Sequence, residues 1–216
     1  GGYYTGINGW EFSVEGYYKD MRNVLEYKDG VSFFGSSSGW ENKVEMGKGR
    51  SAGIEFMAQK TAGKTTGWLS YTLSKSDRKF TKGGINNGEW FPYKYDRRHS
   101  INLTINHKFS DRIDIGASWV FYTGGTSTIP EEKTTVIRPH NGANNGFLWY
   151  GTYDNTNSSP TIGDVSYIEH RNNFRLPASH RLNLGVNFNK KTKHGMRTWN
   201  ISLYNAYNAM NPAWVY

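Results

Sequence analysis

The sequence predicts an all-β protein: part of a transmembrane, antiparallel, up-and-down β-barrel contributing about seven strands. Three observations predict it. Apolar and polar residues alternate at period two, giving each strand one apolar and one polar face. The polar face carries Asn, Ser, Thr and Gly, small hydrogen-bonding groups suited to a crowded, wet interior, rather than the mixed charge of a soluble surface. The connections alternate long and short. A soluble sandwich has no reason to sort its loops in this way. A membrane barrel has one, because its short turns lie on the periplasmic side and its long loops outside.

The clearest alternation lies in Ala178–Pro212. Leu182, Leu184, Val186 and Phe188 share one face of a sixth strand, with Arg181, Asn183, Gly185, Asn187 and Asn189 on the other. In a seventh strand Trp199, Ile201 and Leu203 oppose Thr198, Asn200, Ser202 and Tyr204. The polar, Gly-containing Lys190–Gly195 turn makes the two a hairpin.

Earlier in the chain, the first strand runs over Trp10–Lys19, with Trp10, Phe12, Val14, Gly16 and Tyr18 on one face; Met21–Tyr27 extends the same pattern. The Gly/Ser-rich Lys28–Lys48 segment is a loop by composition. The second strand, Arg50–Lys60, sets Ala52, Ile54, Phe56 and Ala58 against Ser51, Gly53, Glu55, Met57 and Gln59. After the tight turn "TAGKTTG", the third strand, Gly67–Lys75, places Gly67, Leu69, Tyr71 and Leu73 on its apolar side. A longer loop, Ser76–Asp96, carries Trp90, Phe91, Tyr93 and Tyr95.

The fourth strand, Arg98–Phe109, has Ile101, Leu103, Ile105 and Phe109 on its apolar side, where His107 breaks the pattern. Ser110-Asp111-Arg112 leads into the fifth strand, with Ile113, Ile115, Ala117, Trp119 and Phe121. The longest loop, Gly124–Ser179, contains a short extended piece at Val165–His170. Phe109, Phe188 and Trp199 flank short turns, and Tyr18, Trp119 and Phe121 lie near long loops, where two interfacial aromatic girdles belong.

Composition agrees with this reading. Mean hydropathy is −0.73 and no apolar window approaches the roughly 20 residues of a membrane helix, yet a barrel concentrates its hydrophobicity on alternate residues. There is no cysteine, so disulfides and thiolate chemistry are excluded. The net charge of +8 suits a solvated basic surface, an anionic ligand, a lipopolysaccharide-rich leaflet or nucleic acid. Nucleic acid ranks low because the aromatic residues follow the apolar parity instead of interleaving with basic ones.

The chain opens at Gly1-Gly2-Tyr3-Tyr4 without an initiator Met or signal peptide, as though already inside a structure. Seven strands leave two open edges that hydrocarbon cannot satisfy, so further strands are expected, including a final descending one.

The segments "VEGYYKDMRNVLEY", "GRSAGIEFMAQKTAGKTTGWLSYTLSKSDRKF", "YDRRHSINL", "WVFYTGG", "LPASHRLNLGVNFNKK" and "WNISLYNAYNAMNP" stand in order over nearly the whole chain. Together they resemble the C-terminal part of the β-barrel of TonB-dependent outer-membrane transporters, of the Bacteroidota type. The resemblance implies a barrel of about 22 strands with a plugged lumen. It implies active import of a scarce nutrient: an iron chelate, vitamin, oligosaccharide or peptide. The implied partners are outer-membrane lipid and lipopolysaccharide, the protein's own plug domain and remaining strands, TonB through that plug, and a surface lipoprotein. The plug and final strand have no counterpart in residues 1–216.

No catalytic constellation stands out. The six His residues lack metal-ligand spacing, and neither a nucleophile elbow nor a phosphate-cradling Gly motif occurs. No metal site, cofactor or enzymatic activity is expected. Arg78, Lys79, Arg97, Arg98, Arg171, Arg175 and Arg181 fall at loop-facing strand ends or in loops. They pair with carboxylates such as Glu15 and Glu55 or with lipid phosphate, or they draw an anionic substrate to the mouth. Aromatic loop residues stack on a substrate ring or pack loops together. The residues expected to contact substrate are Trp90, Tyr93, Arg97, Arg98, Trp149, Tyr150, Tyr153 and Arg171. The alternative function is a soluble or surface-exposed β-rich carbohydrate-binding module.

Overall fold

The computed structural model describes residues 1–28, 39–82, 84–138 and 161–212. Eight long-range strands pair antiparallel in chain order: β1 (Gly2–Tyr4), β2 (Trp10–Tyr27), β3 (Val44–Lys60), β4 (Thr65–Lys79), β5 (His99–Lys108), β6 (Ile113–Tyr122), β7 (Ser179–Thr192) and β8 (Gly195–Leu203). The sheet is open, with β1 and β8 at its edges. All seven expected strands are present. The sequence reading missed β1, three residues joined to β2 by a short turn and paired from Gly2↔Val14 to Tyr4↔Phe12.

The apolar alternation becomes continuous rows across the sheet. One row runs Tyr4, Phe12, Ala58, Leu69, Leu103, Trp119 and Leu182, each opposite the next. Another runs Leu203, Leu184, Ala117, Ile105, Gly67, Lys60 and Trp10. Leu203 ends β8 away from its short turn, whereas Trp10 begins β2 beside one. The sheet is therefore sheared and its strands tilted, as barrel closure requires. Many of the apolar side chains lie open, including Trp199, Ile201 and Leu203 at 64%, 67% and 56% exposure. They need a nonpolar surrounding rather than a protein core.

Several strands outrun their apolar segments. The expected loop at Lys28–Lys48 is strand from Val44, and that at Ser76–Asp96 is strand to Lys79. The turn expected over Lys190–Gly195 narrows to Lys193-His194. Apolar alternation stops where hydrocarbon would stop, but backbone pairing continues. Glycines hid the strand at "EMGKGR". A Cβ on Gly47 would lie 2.3 Å from Phe80 Cδ1, and one on Gly49 would meet the Arg78 guanidinium, so the glycines admit side chains from β4 and the residue just beyond it. In the long loop the extended piece lies at Thr161–Tyr167, not Val165–His170, and pairs with Glu132–Arg138.

His107, at the short-turn end of β5, contacts Thr65 Oγ1 through Nδ1 at 2.7 Å and meets the Phe109 ring edge-on. It stands in the girdle rather than at mid-strand. At the opposite end His99 bonds the Tyr71 hydroxyl at 2.9 Å. There Tyr207 OH lies 2.8 Å from His180 Nδ1 and accepts from Trp119 Nε1 at 3.1 Å. Rings with one polar tip suit both interfaces.

Candidate functional site

The long-connection end carries a packed platform, and a one-residue bulge in β2 prepares it. Between Arg22 and Val24 the β2–β3 register slips, with Asn23 at φ 57°. Asn tolerates that left-handed conformation better than most residues. The extra residue turns Val24 and Glu26 toward the polar face. There Val24 packs on the buried cluster of Phe80, Ile85 and Phe91. Phe91 is held by the two-residue Phe91–Pro92 strand, which pairs with Asp77 and Arg78 of β4.

Arg171, from the last long loop, ties that loop to β2. Its guanidinium donates to Tyr27 O at 3.0 Å and Glu26 Oε1 at 3.1 Å, and its backbone N–H donates to Asn86 Oδ1 at 2.6 Å. Asn172 donates through Nδ2 to Pro92 O at 2.7 Å. A second node is Asp96, whose residue is 1% exposed. Its Oδ1 accepts Ser76 N–H at 2.6 Å, and Oδ2 faces Arg175 Nη2 at 2.5 Å and Arg98 Nε at 3.0 Å. Buried carboxylates persist where charge-assisted bonds replace their water, as three do here. Thr126, also buried, donates to Tyr93 O at 3.0 Å and joins the two loops.

Along the polar face the short-turn end is knitted by amides. Asn187 and Asn189 each donate to Asp114 at 2.6 Å, and Asn200 donates to Asn187 Oδ1 at 2.7 Å. Above them Gly116 faces Gly185. A depression of about 270 Å³ forms there, lined by Asn106, Ser118, Asn183 and Asn200 among others. Glu15 and Glu55 stand directly opposite each other. The expected pairing of these two with arginines is not found: neither has a cationic partner among the described residues. The arginines that find carboxylates within 3.1 Å lie higher, on Asp77, Asp96 and Glu26.

The substrate-contact candidates separate. Trp90 lies against the Arg50 guanidinium at 4.3 Å, on the parity of the apolar face, where Arg50 pairs with Asp77 at 3.0 Å. Tyr93 supports Arg78 at 4.1 Å. Arg98 and Arg171 are occupied by the ties just described. Arg97 is exposed, stacked 4.0 Å over Tyr122. Trp149, Tyr150 and Tyr153 lie outside the described residues. The Arg175–Asp96 node and the Arg181–Tyr204 stack were not singled out as sites; the only sequence signal for them was an Arg at polar parity beside a strand start.

A model of the family described as TonB dependent receptor-like, beta-barrel matches residues 1–209. No curated protein matches the chain significantly.

Proposed function

Because this chain belongs to the TonB-dependent receptor-like β-barrel family, whose members serve outer-membrane transport, we propose that it forms wall and mouth of an importer for a scarce nutrient: an iron chelate, vitamin, oligosaccharide or peptide. The observation that carries this reading is the pairing of continuous exposed apolar rows with a polar opposite face built from amides, hydroxyls and glycines. Lipid satisfies the first face and a hydrated lumen the second. The family brings a plug domain and TonB interaction in general. Further strands beyond β1 and β8 then close the sheet, and residues 1–216 are the C-terminal portion of that wall. The platform residues hold the mouth in shape and Arg97 meets the solute; Trp149, Tyr150 and Tyr153, outside the described residues, are proposed to stack on a ring of that solute.

The open apolar face also argues against the soluble or surface-exposed β-rich carbohydrate-binding module, which would leave these apolar rows in water. The test is fractionation together with uptake. The full-length protein is expected in the outer membrane, extractable only with detergent, and supporting nutrient accumulation that collapses on addition of a protonophore. Recovery as a soluble monomer without detergent would overturn the proposal.

A further inference from the structure

Resting on that transport reading, we propose that Arg97 and Arg181, with Tyr122 and Tyr204, form an oxyanion-binding site on the lumen wall, taking a carboxylate or phosphate group of the transported solute. The arginines of this chain divide by partner. Arg50, Arg98, Arg171 and Arg175 each meet an Asp or Glu within 3.1 Å. Arg78, Arg97 and Arg181, on the polar-face side, meet none among the described residues. Each lies on a tyrosine ring instead, at 4.1, 4.0 and 4.5 Å.

A guanidinium held close to an aromatic ring rather than to a carboxylate keeps N–H donors for a ligand, and its fork matches a planar carboxylate or two phosphate oxygens. Arg181 Nη1 also bonds the Tyr204 hydroxyl, while its Nε is shielded from solvent and has no acceptor.

Register brings the two stacks together. Tyr122 opposes Ser179 and Val120 opposes Arg181, so Tyr122 and Arg181 are diagonal neighbours on one face, about 7–8 Å apart. Guanidiniums held on one wall without a carboxylate among the described residues leave positive charge uncompensated, and a solute oxyanion neutralises it. Asn183, two residues along the same face, opens the amide-lined depression, which gives the rest of a polar solute hydrogen-bonding groups.

The experiment is equilibrium dialysis of the full-length protein in detergent against labelled succinate, inorganic phosphate and, as neutral control, glucose, all at one ionic strength. Saturable binding of succinate or phosphate is expected, weakened about tenfold or more by Arg97→Gln and by Arg181→Gln. Arg197→Gln is expected to leave it unchanged, because Arg197 stacks on Trp199 at 5.4 Å on the apolar face. The preferred anion distinguishes the two chemistries. Folding of each variant is checked by heat-modifiable electrophoretic mobility. A folded barrel that binds neither anion, or that loses binding equally in Arg197→Gln, overturns the oxyanion site alone. A protein that never enters the outer membrane overturns the transport reading beneath it.

Discussion

Leu103 and Thr104 are adjacent in sequence and face opposite solvents, so one substitution made at each isolates the membrane from every other effect. Both lie mid-way along β5, His99–Lys108. Ten residues at about 3.4 Å each, tilted by about 40°, span about 26 Å, close to the apolar band of such barrels. Leu103 therefore sits near the midplane, between Leu69 and Trp119 in its register row. Arg there is expected to cost about 2–4 kcal/mol. Thr104 stands between Trp68 and Ser118 on the polar face, where Arg keeps its water and should cost under about 1 kcal/mol. Phe109, just beyond the strand, tests depth, since Arg at the interface should cost about 0–1 kcal/mol. Denaturant unfolding of the full-length protein in phospholipid vesicles measures all three. Equal damage at Leu103 and Thr104, or a flat profile from Leu103 to Phe109, would refute the assignment of lipid to the apolar face.

Other outcomes follow from the platform and the topology. Asp96→Ala leaves Arg98 and Arg175 without their carboxylate and should cost about 3 kcal/mol, whereas Asp20→Ala, whose carboxylate is 3.8 Å from Arg22, should be nearly neutral; thermal unfolding compares them. Gly47→Ala puts a Cβ 2.4 Å from Lys79 O and should cost about 1–3 kcal/mol while sparing the apolar rows, read as increased proteolysis of the platform with the barrel intact. Residues 1–216 contain no Cys, so single cysteines introduced here into the full-length protein, with any cysteine elsewhere replaced, report topology: Asn87→Cys should react with an impermeant maleimide on whole cells, and Gly63→Cys or Lys193→Cys should not. Residues 1–216 expressed alone should fail to give a monodisperse, heat-resistant species in detergent, because β1 and β8 each leave an edge unpaired.

Much of the fold was legible because hydrocarbon writes a strict rule into alternate residues: Leu182, Leu184, Val186 and Phe188 declare a face without any tertiary knowledge. The upper parts of β3 and β4 were not, because strict alternation ceases there: Lys48 and Arg50 stand at apolar parity, while Val24 and Phe80 pack on the polar-face side. Gly47 and Gly49 read as loop residues, and their reason, the side chains of Phe80 and Arg78 lying across them, belongs to β4 and the residue just beyond it. β1 is three residues long and lacks a period of its own. The site was legible as residue types at loop-facing ends. Which arginine found a carboxylate was not, since Asp96 lies 79 residues from Arg175 and only the folded loops unite them. Trp90 illustrates the same limit: its contact with the Arg50 guanidinium of β3 is not written in the aromatic run that contains it.

The tie between Arg171 and Glu26 joins residues 145 apart in the chain. In an unfolded polypeptide, closing a loop of that length costs about 4 kcal/mol of entropy. A partly exposed ion pair returns about 1 kcal/mol at most. The contact therefore cannot nucleate anything. It becomes favourable only after hairpins have zipped in sequence and carried β2 and β7 into one wall, when almost no further chain entropy is lost. Its formation marks the completion of assembly, and a probe placed at Arg171 would time the last event in the maturation of the mouth, long after the strands themselves had paired.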